Sequence, residues 1–237
     1  RANIFGQFVG HGDLDIFFEF FASQHNVPVI KTISVKMAPN SSEKHRGRIG
    51  METKFSVANG RVLGARWCPS PNFNQRPQAT AVSLLVIHNI SLPPGQFGGG
   101  YVERFFQNQL PVDEHEFFAE IKDLQVSAHL FITRQGQVTQ FVNLNDRAWH
   151  AGQSSFGGVP DCNDYSIGIE LEGTDTLAYT DLQYAALTAL TQAIQSAYPE
   201  IELSRITGHE HIAPIRKTDP GPAFEWDRYR SGLCDQE

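Results

Sequence analysis

The chain has 237 residues, of which 41% are hydrophobic, and its 19 Lys and Arg against 26 Asp and Glu give a formal charge of −7. Such a composition is typical of a globular protein with a sizeable core and excludes collagen-like, coiled-coil and wholly disordered chains. The apolar runs fall far short of the roughly 20 residues that cross a bilayer, and the acidic balance disfavours nucleic acid, so we expect neither membrane nor nucleic acid as a partner.

The amino end differs from the rest of the chain. Residues 1–50 carry six Lys or Arg and four Asp or Glu, together with a cluster of phenylalanines at 17, 18, 20 and 21. One interpretation is a small helical appendage that packs on the main domain. The other, which we favour, is sequence outside the functional protein, upstream of a start at Met51. We therefore predict an extension over 1–50 and one functional domain over 51–237.

The expected location follows from the cysteines and the first segment. Cys68, Cys162 and Cys234 are too few and too scattered for a disulfide framework or a zinc ribbon. The first segment has no basic start followed by an uninterrupted apolar stretch and a small-residue cleavage site. We expect a cytoplasmic protein in a reducing compartment.

Several runs predict strands. Residues 83–90 form a short branched apolar run, typical of a strand buried on both faces, and Pro and Gly residues over 93–100 then predict a long loop. Residues 126–133 and 138–142 predict a hairpin around Gly136. Residues 166–172 alternate apolar side chains with Gly and Glu, which predicts another strand.

Helices alternate with these strands. A helical patch is predicted around 115–122. Thr180 and Gln183 form a capping box at the start of a second helix, whose predicted buried stripe ends before Pro199 (Leu187, Leu190, Ile194 and Ala197). A short strand at 205–207, a Pro-rich loop over 208–222 and a helix near 224–229 complete the chain. The fold class is thus α/β, with a mixed sheet flanked by helices.

Three residues in this pattern suit a metal. His88 ends an apolar strand, His209 follows another, and Asp219 lies ten residues later. Two imidazoles and a carboxylate are a known ligand set for catalytic zinc, with one position left for water. Each histidine could equally be a hydrogen-bonded structural residue, and His211 competes with His209 for the second ligand position. The residues alone leave these alternatives open.

Longer strings resemble a known family. They are 84–99 (Leu-Leu-Val-Ile-His-Asn-Ile-Ser and onward), 126–129 (Val-Ser-Ala-His), 147–152 (Arg-Ala-Trp-His-Ala-Gly), 162–181 (Cys-Asn-Asp-Tyr-Ser-Ile-Gly-Ile-Glu and onward), 207–209 (Thr-Gly-His) and 216–222 (Arg-Lys-Thr-Asp-Pro-Gly-Pro). In this order they resemble the AmpD-type N-acetylmuramyl-L-alanine amidases. The broader family includes phage amidases and peptidoglycan recognition proteins, and it implies a single domain with one zinc ion in a surface groove.

The resemblance implies roles for individual residues. It implies zinc ligands at His88, His209 and Asp219. It does not favour His211 as a ligand. It also implies that Glu170 is the general base and that Lys217 faces the carbonyl oxygen as negative charge develops. Further residues are expected in the substrate groove (Asn89, Trp149, His150, Ala151 and Arg216). His129 is expected to be structural or to support a ligand.

Two positions depart from the family pattern. Some members carry Arg where this chain has Gln125 and Asp161. Neither residue can replace a bidentate contact from Arg to a carboxylate, so the preference among stem peptides is in doubt.

The resemblance finally implies a function. We expect a zinc amidase that cuts between 1,6-anhydro-N-acetylmuramic acid and L-alanine of an anhydro-muropeptide, during recycling of cell-wall fragments in the cytoplasm. Two alternatives remain: a peptidoglycan-binding module without turnover, and an exported amidase that degrades the wall.

Overall fold

The structure is a computed structural model that describes residues 55–234. The predicted extension over 1–50 lies outside these residues, and the division of the chain at residue 50 stays a prediction. Across the described residues, no helix is both long enough and apolar enough to cross a bilayer.

Twelve strands and five helices are numbered in chain order within the described residues. The strands are β1 (Ser56–Ala58), β2 (Arg61–Leu63), β3 (Arg66–Trp67), β4 (Phe73–Asn74), β5 (Leu84–Ile90), β6 (Leu130–Ile132), β7 (Val138–Gln140), β8 (Arg147–Ala148), β9 (Ser155–Phe156), β10 (Val159–Pro160), β11 (Ser166–Glu172) and β12 (Ile206–Gly208). The helices are α1 (Tyr101–Phe106), α2 (Glu116–Ile121), α3 (Asp181–Ala197), α4 (His209–Ile212) and α5 (Trp226–Cys234).

A six-stranded mixed sheet organises the domain, in the order β12-β5-β11-β6-β7-β3. The first four strands of this order run parallel, β7 pairs antiparallel with β6, and β3 pairs parallel with β7. Helices pack on the sheet, so the predicted fold class is confirmed. Short antiparallel pairs (β1 with β2, β4 with β8, β9 with β10) lie outside the central sheet.

The long strand β5 is buried on both faces over most of its length, as its continuous apolar character predicts. Strand β11, predicted from its alternation of apolar residues with Gly and Glu, is also largely buried. Their odd-numbered residues pack in the main core with α3 (Leu85, Ile87, Ile167, Ile169 and Leu171). On β5, Leu84 and Val86 instead join a smaller cluster with Cys162 and Ile212. Because side chains alternate along a strand, His88 and Glu170 leave the sheet on the face away from α3.

Helix α3 begins with the predicted capping box. The Thr180 hydroxyl accepts the Gln183 N–H at 3.1 Å, and the Gln183 side-chain oxygen accepts the Thr180 N–H at 3.1 Å. The reciprocal bonds satisfy two amides that the first turn would leave free. The buried stripe of α3 ends at Ile194. Ala197 is exposed, so the prediction that the stripe reaches this residue is wrong.

Other elements differ in extent from their predictions. The predicted hairpin is present, but its strands are only three residues each. Residues 126–129 lie outside β6, although the His129 N–H donates to the Gly168 carbonyl and the His129 carbonyl accepts the Phe141 N–H. The predicted loop over 208–222 contains the one-turn helix α4, and the final helix α5 starts and ends later than 224–229. Helix α1 follows directly on the predicted Gly-rich loop and had no separate signal.

A second apolar cluster covers the other side of the sheet. Phe105 and Phe106 of α1 and Phe118 of α2 pack there with Phe131 and Phe141. This cluster supports one wall of a groove that runs past the carboxyl ends of the parallel strands.

Candidate active site

Strand register gathers the predicted site residues in one row. Glu170 on β11 lies directly opposite His88 on β5, and Gly208 on β12 lies opposite Ile87. His209, the next residue after β12, therefore stands beside His88. Parallel strands end at the same edge of a sheet, and this edge is where ligands bind in open α/β sheets.

Asp219 completes the group from the loop that follows α4. Its carbonyl oxygen accepts the Glu210 N–H at 2.8 Å, which fastens this loop to the start of α4. The Asp219 Oδ2 atom lies 3.1 Å from His88 Nδ1 and 3.0 Å from His209 Nδ1, and the two Nδ1 atoms are 2.9 Å apart. Among the described residues these three form a group that could hold a metal ion.

The outer nitrogens show that the group suits a cation. His209 Nε2 lies 3.1 Å from the Ala151 carbonyl oxygen, which can only accept, so Nε2 carries the proton and Nδ1 presents a lone pair. His88 Nε2 lies 2.9 Å from His150 Nδ1, which can accept its proton, and in that arrangement His88 Nδ1 also presents a lone pair. Two lone pairs and a carboxylate oxygen then converge at about 3 Å, close to the roughly 3.3 Å that separates ligands in tetrahedral zinc sites.

Burial favours the protonation states that a metal needs. Burial lowers the pKa of His88 to about 4, so this imidazole is neutral near pH 7. Burial raises the pKa of Asp219, but its contacts with His209 and His88 outweigh that effect and hold the pKa well below its usual range. The group therefore presents neutral nitrogen and ionised oxygen.

Glu170 brings an unpaired carboxylate oxygen to the same site. Its Oε2 atom is buried and has no hydrogen-bond partner among the described residues. Burial and then the nearby Asp219 raise the pKa of Glu170 well above its ordinary value, while Lys217 acts in the opposite direction. A carboxylate with a raised pKa and a free oxygen beside a metal group is suited to exchange protons with a water molecule.

A groove of about 380 Å³ opens over this row. Glu170, His209, Lys217 and Asp219 form its polar end. The remainder is largely apolar (Ile90, Leu92, Phe117, Ile121, Leu124, Val126 and Trp149). The candidate chemistry thus lies in a cleft whose lining is otherwise largely apolar, as in many small-molecule sites.

Comparison with known proteins agrees with this geometry. Residues 78–222 match the family described as N-acetylmuramoyl-L-alanine amidase. The chain belongs to this amidase family. The 1,6-anhydro-N-acetylmuramyl-L-alanine amidase AmpD of Escherichia coli (strain K12) is 55% identical over 174 residues, covering 73% of this chain and 94% of that protein. AmpD of Haemophilus influenzae is 52% identical, with 75% and 96% covered.

Solved structures lead to the same family. A crystal structure of a selenomethionine derivative of AmpD is 52% identical, covers 75% of this chain and 98% of that chain, and gives a TM-score of 0.73. The predicted resemblance to AmpD-type amidases is confirmed. Because the relatives are enzymes, the alternative of a binding module without turnover is not retained.

The predicted groove residues of the amidase fall into two sets. Asn89, Trp149 and His150 line the groove. The Asn89 amide donates to Asp175 at 2.9 Å and to the Pro220 carbonyl at 3.1 Å, so it also holds the turn that carries Asp219. The Trp149 indole N–H donates to Asn74 at 2.7 Å, which leaves the ring face toward the cleft wall.

The second set lies behind the metal group. Ala151 is fully buried, and its carbonyl accepts from both His209 and the Arg216 guanidinium, the latter at 2.7 Å. Arg216 also donates to the Gln153 carbonyl at 2.8 Å and so fixes the loop that follows His150. Ala151 and Arg216 thus lie close to the site, but their polar groups bond to other parts of the protein.

The other polar positions singled out in the sequence of the amidase lie apart from the metal group. His211 is exposed and faces Glu210 at 3.5 Å. His129 is buried: its Nδ1 accepts the Gly168 N–H at 3.0 Å, and its Nε2 faces the Asp146 carbonyl at 3.0 Å. Gln125 and Asp161 are both exposed, and Asp161 occupies a turn with a φ of 56°.

Sequence reasoning missed one supporting residue of the amidase. The buried Arg76 guanidinium donates to the backbone carbonyls of residues 144, 163, 164 and 166 at 2.8–3.1 Å. Burial lowers the pKa of Arg76 to about 10. This cation ties the start of β11 to two loops. A single arginine between prolines carries no short-range signal, so only the fold identifies it.

Proposed function

We propose that this amidase hydrolyses the amide bond between 1,6-anhydro-N-acetylmuramic acid and L-alanine of peptidoglycan fragments, with zinc held by His88, His209 and Asp219. The convergence of these three donors, within 3.1 Å of one another beside Glu170, is the observation that carries the proposal. The substrate assignment is supported by relatives that are 52–55% identical and are 1,6-anhydro-N-acetylmuramyl-L-alanine amidases.

The metal and Glu170 would share the activation of water. Zinc bound by three protein groups lowers the pKa of a coordinated water to near 7 and polarises a carbonyl oxygen. Glu170 takes the proton from the attacking water on its free Oε2 atom. Its raised pKa lets it keep that proton until it is passed to the leaving nitrogen of L-alanine.

Lys217 would stabilise the charge that appears on the carbonyl oxygen. Its side chain lines the polar end of the groove together with Glu170 and Asp219. An ammonium in a cleft of restricted water access interacts strongly with a developing oxyanion, and one such donor contributes about 3 kcal/mol to the lowering of the barrier.

The groove would then orient the substrate. Asn89 keeps its carbonyl oxygen free for a substrate N–H, because its amide nitrogen is already engaged. Trp149 and the apolar wall provide a surface for a sugar face or an alanine methyl group. Arg216 and Ala151 contribute from behind the site, where their contacts hold the loop over 150–153.

One sample tests bond, substrate and cofactor together. Purified protein is analysed for zinc and then incubated with anhydro-muropeptide, and the products are identified by mass spectrometry. We expect about one zinc per chain and the release of a free peptide with amino-terminal L-alanine. Intact substrate after prolonged incubation with zinc-loaded protein would overturn the proposal.

The proposal places the activity in the cytoplasm, where wall fragments would be recycled. The competing hypothesis is an exported amidase that acts on the wall itself. Fractionation of cells that express the native gene distinguishes the two, since activity outside the inner membrane contradicts the cytoplasmic assignment.

A further inference from the structure

His150 has both ring nitrogens committed to protein partners. Its Nδ1 lies 2.9 Å from His88 Nε2, and its Nε2 lies 3.0 Å from the Ser166 hydroxyl oxygen. The His88 and His150 rings stand nearly perpendicular, with an interplanar angle of 88° and centroids 5.0 Å apart. In this nearly perpendicular arrangement, a nitrogen of each ring faces the other ring.

Only one proton arrangement satisfies every nitrogen in this chain of contacts when His88 presents its Nδ1 lone pair to the metal group. His88 Nε2–H then donates to His150 Nδ1, and the His150 proton resides on Nε2, from which it donates to the Ser166 hydroxyl. No ring nitrogen of His150 remains for a ligand in the groove.

The backbone around His150 is also held in place by hydrogen bonds. The N–H groups of His150 and Ala151 both donate to the Asn163 side-chain oxygen, at 3.1 and 2.8 Å. The Ala151 carbonyl then accepts from His209 Nε2. Two consecutive residues thus hold the outer nitrogens of both metal-facing imidazoles, one through a side chain and the other through a carbonyl.

The sheet leaves a space for the His150 ring. A Cβ atom at position 168 would lie 2.5 Å from His150 Nδ1 and 2.6 Å from its Cγ, closer than real contacts allow. Gly168 is buried in the middle of β11, where a glycine weakens a strand unless another group must approach the backbone closely. Here the group that approaches is the imidazole of His150.

We propose that His150 is a positioning residue, which fixes the tautomer and orientation of His88 for metal binding. Its ring borders the groove, but both of its nitrogens bond to the protein and neither is available to bond to substrate. This inference rests on the proposed function, because it assigns His150 to the proposed zinc site. It revises the role that the sequence suggested for this residue.

Two variants of similar size test the inference. His150→Asn keeps an acceptor oxygen where Nδ1 stood, and His150→Leu removes it with little change in volume. Zinc affinity is measured on the purified full chain by competition with a chromogenic chelator. We expect His150→Leu to bind zinc 10- to 100-fold more weakly than the wild type, the range that follows loss of a partner of a metal ligand, and His150→Asn to recover most of this loss.

Two further measurements separate positioning from a general structural effect. Thermal melting of the chelator-treated variants should give similar midpoints for Asn and Leu. The visible absorption of the cobalt-substituted protein should change in His150→Leu and resemble the wild type in His150→Asn. Gly168→Ala, which displaces the ring and keeps its chemistry, should also weaken zinc binding, and it serves if His150→Leu does not fold.

The control is Trp149→Ala, at the neighbouring residue that lines the groove. We expect it to raise KM and to leave zinc affinity unchanged. A His150→Leu variant with wild-type zinc affinity and a raised KM would overturn the inference and assign His150 to the substrate. A wild-type chain that binds no zinc would instead refute the proposed function, so the two failures are distinguishable.

Discussion

Replacing Glu170 by Gln should make the protein more stable and less active at the same time. The Oε2 atom is buried without a partner among the described residues, and burial and Asp219 both disfavour the ionised form. A buried unsatisfied polar group costs about 1–3 kcal/mol, and more when it is charged. Gln leaves a polar group at this position but removes the charge, so we expect the Gln variant to gain about 1–3 kcal/mol in the free energy of unfolding at pH 7 from the charge alone. Turnover should fall by about 10²- to 10⁴-fold through loss of the general base.

A matched control lies two residues further along the same strand. Glu172 is 4% exposed, and its two oxygens accept the Gly98 N–H at 2.6 Å and the Arg134 N–H at 2.9 Å. Gln offers only one acceptor to these two donors, so Glu172→Gln should lose about 1.5–3 kcal/mol. The substitution is chemically identical, but the expected change in stability has the opposite sign.

Urea unfolding of chelator-treated protein, monitored by fluorescence with a constant m value, measures both changes. A Glu170→Gln variant less stable than the wild type, beside the expected loss in Glu172→Gln, would refute the reasoning from burial. Undiminished turnover in Glu170→Gln would refute its role as the base.

Other predictions concern the metal, the oxyanion, pH and the amino end. Replacing His88 or His209 by Ala should abolish stoichiometric zinc in metal analysis, and retained zinc would contradict the ligand assignment. Lys217→Ala should lower kcat by about a hundredfold or more, with zinc still bound. Burial and the nearby Arg76 cation lower the pKa of His129 to about 3, so between its ordinary value of 6.5 and that value the unfolded chain binds a proton that the folded chain does not. The contribution of this group to the free energy of unfolding is complete above pH 6.5. It is lost as the pH decreases, by about 2 kcal/mol between pH 6.5 and pH 5. Chelator-treated His129→Gln should lack this part of the pH dependence of urea unfolding, and equal slopes would contradict it. Deleting residues 1–50 should leave kcat/KM unchanged, and a folded but inactive truncation would show that the extension belongs to the functional protein.

Periodicity and capping were sufficient to predict the long elements of the fold. The apolar run of β5, the alternation of β11 and the capping box at Thr180 each express a local rule that the tertiary structure does not override. The one-turn helix α4 escaped prediction because its four residues are too few to show a helical period. The shortened strand β6 shows the opposite limit, since residues 126–129 have strand composition but make only isolated backbone bonds, such as that of His129 to Gly168, and not a regular ladder.

The site was only partly accessible from sequence. His88, His209 and Asp219 could be proposed because their residue types and positions after strands suit a metal, and family resemblance separated His209 from His211. What the sequence could not reveal was the direction of each side chain. His150 stands beside Trp149 in an apparent substrate motif, yet its ring turns toward His88, because Gly168 leaves a space there.

The register of three strands gives the active site a built-in dependence on correct folding. A slip of one residue between β5 and β11 would bring an apolar side chain beside His88 and turn Glu170 into the core under α3, because neighbouring residues point to opposite faces. Zinc would thus bind only to chains with the correct strand register, and its binding would stabilise only those chains. Zinc binding would then come late in the folding of this enzyme. It would follow assembly of the parallel sheet and would stabilise the assembled sheet.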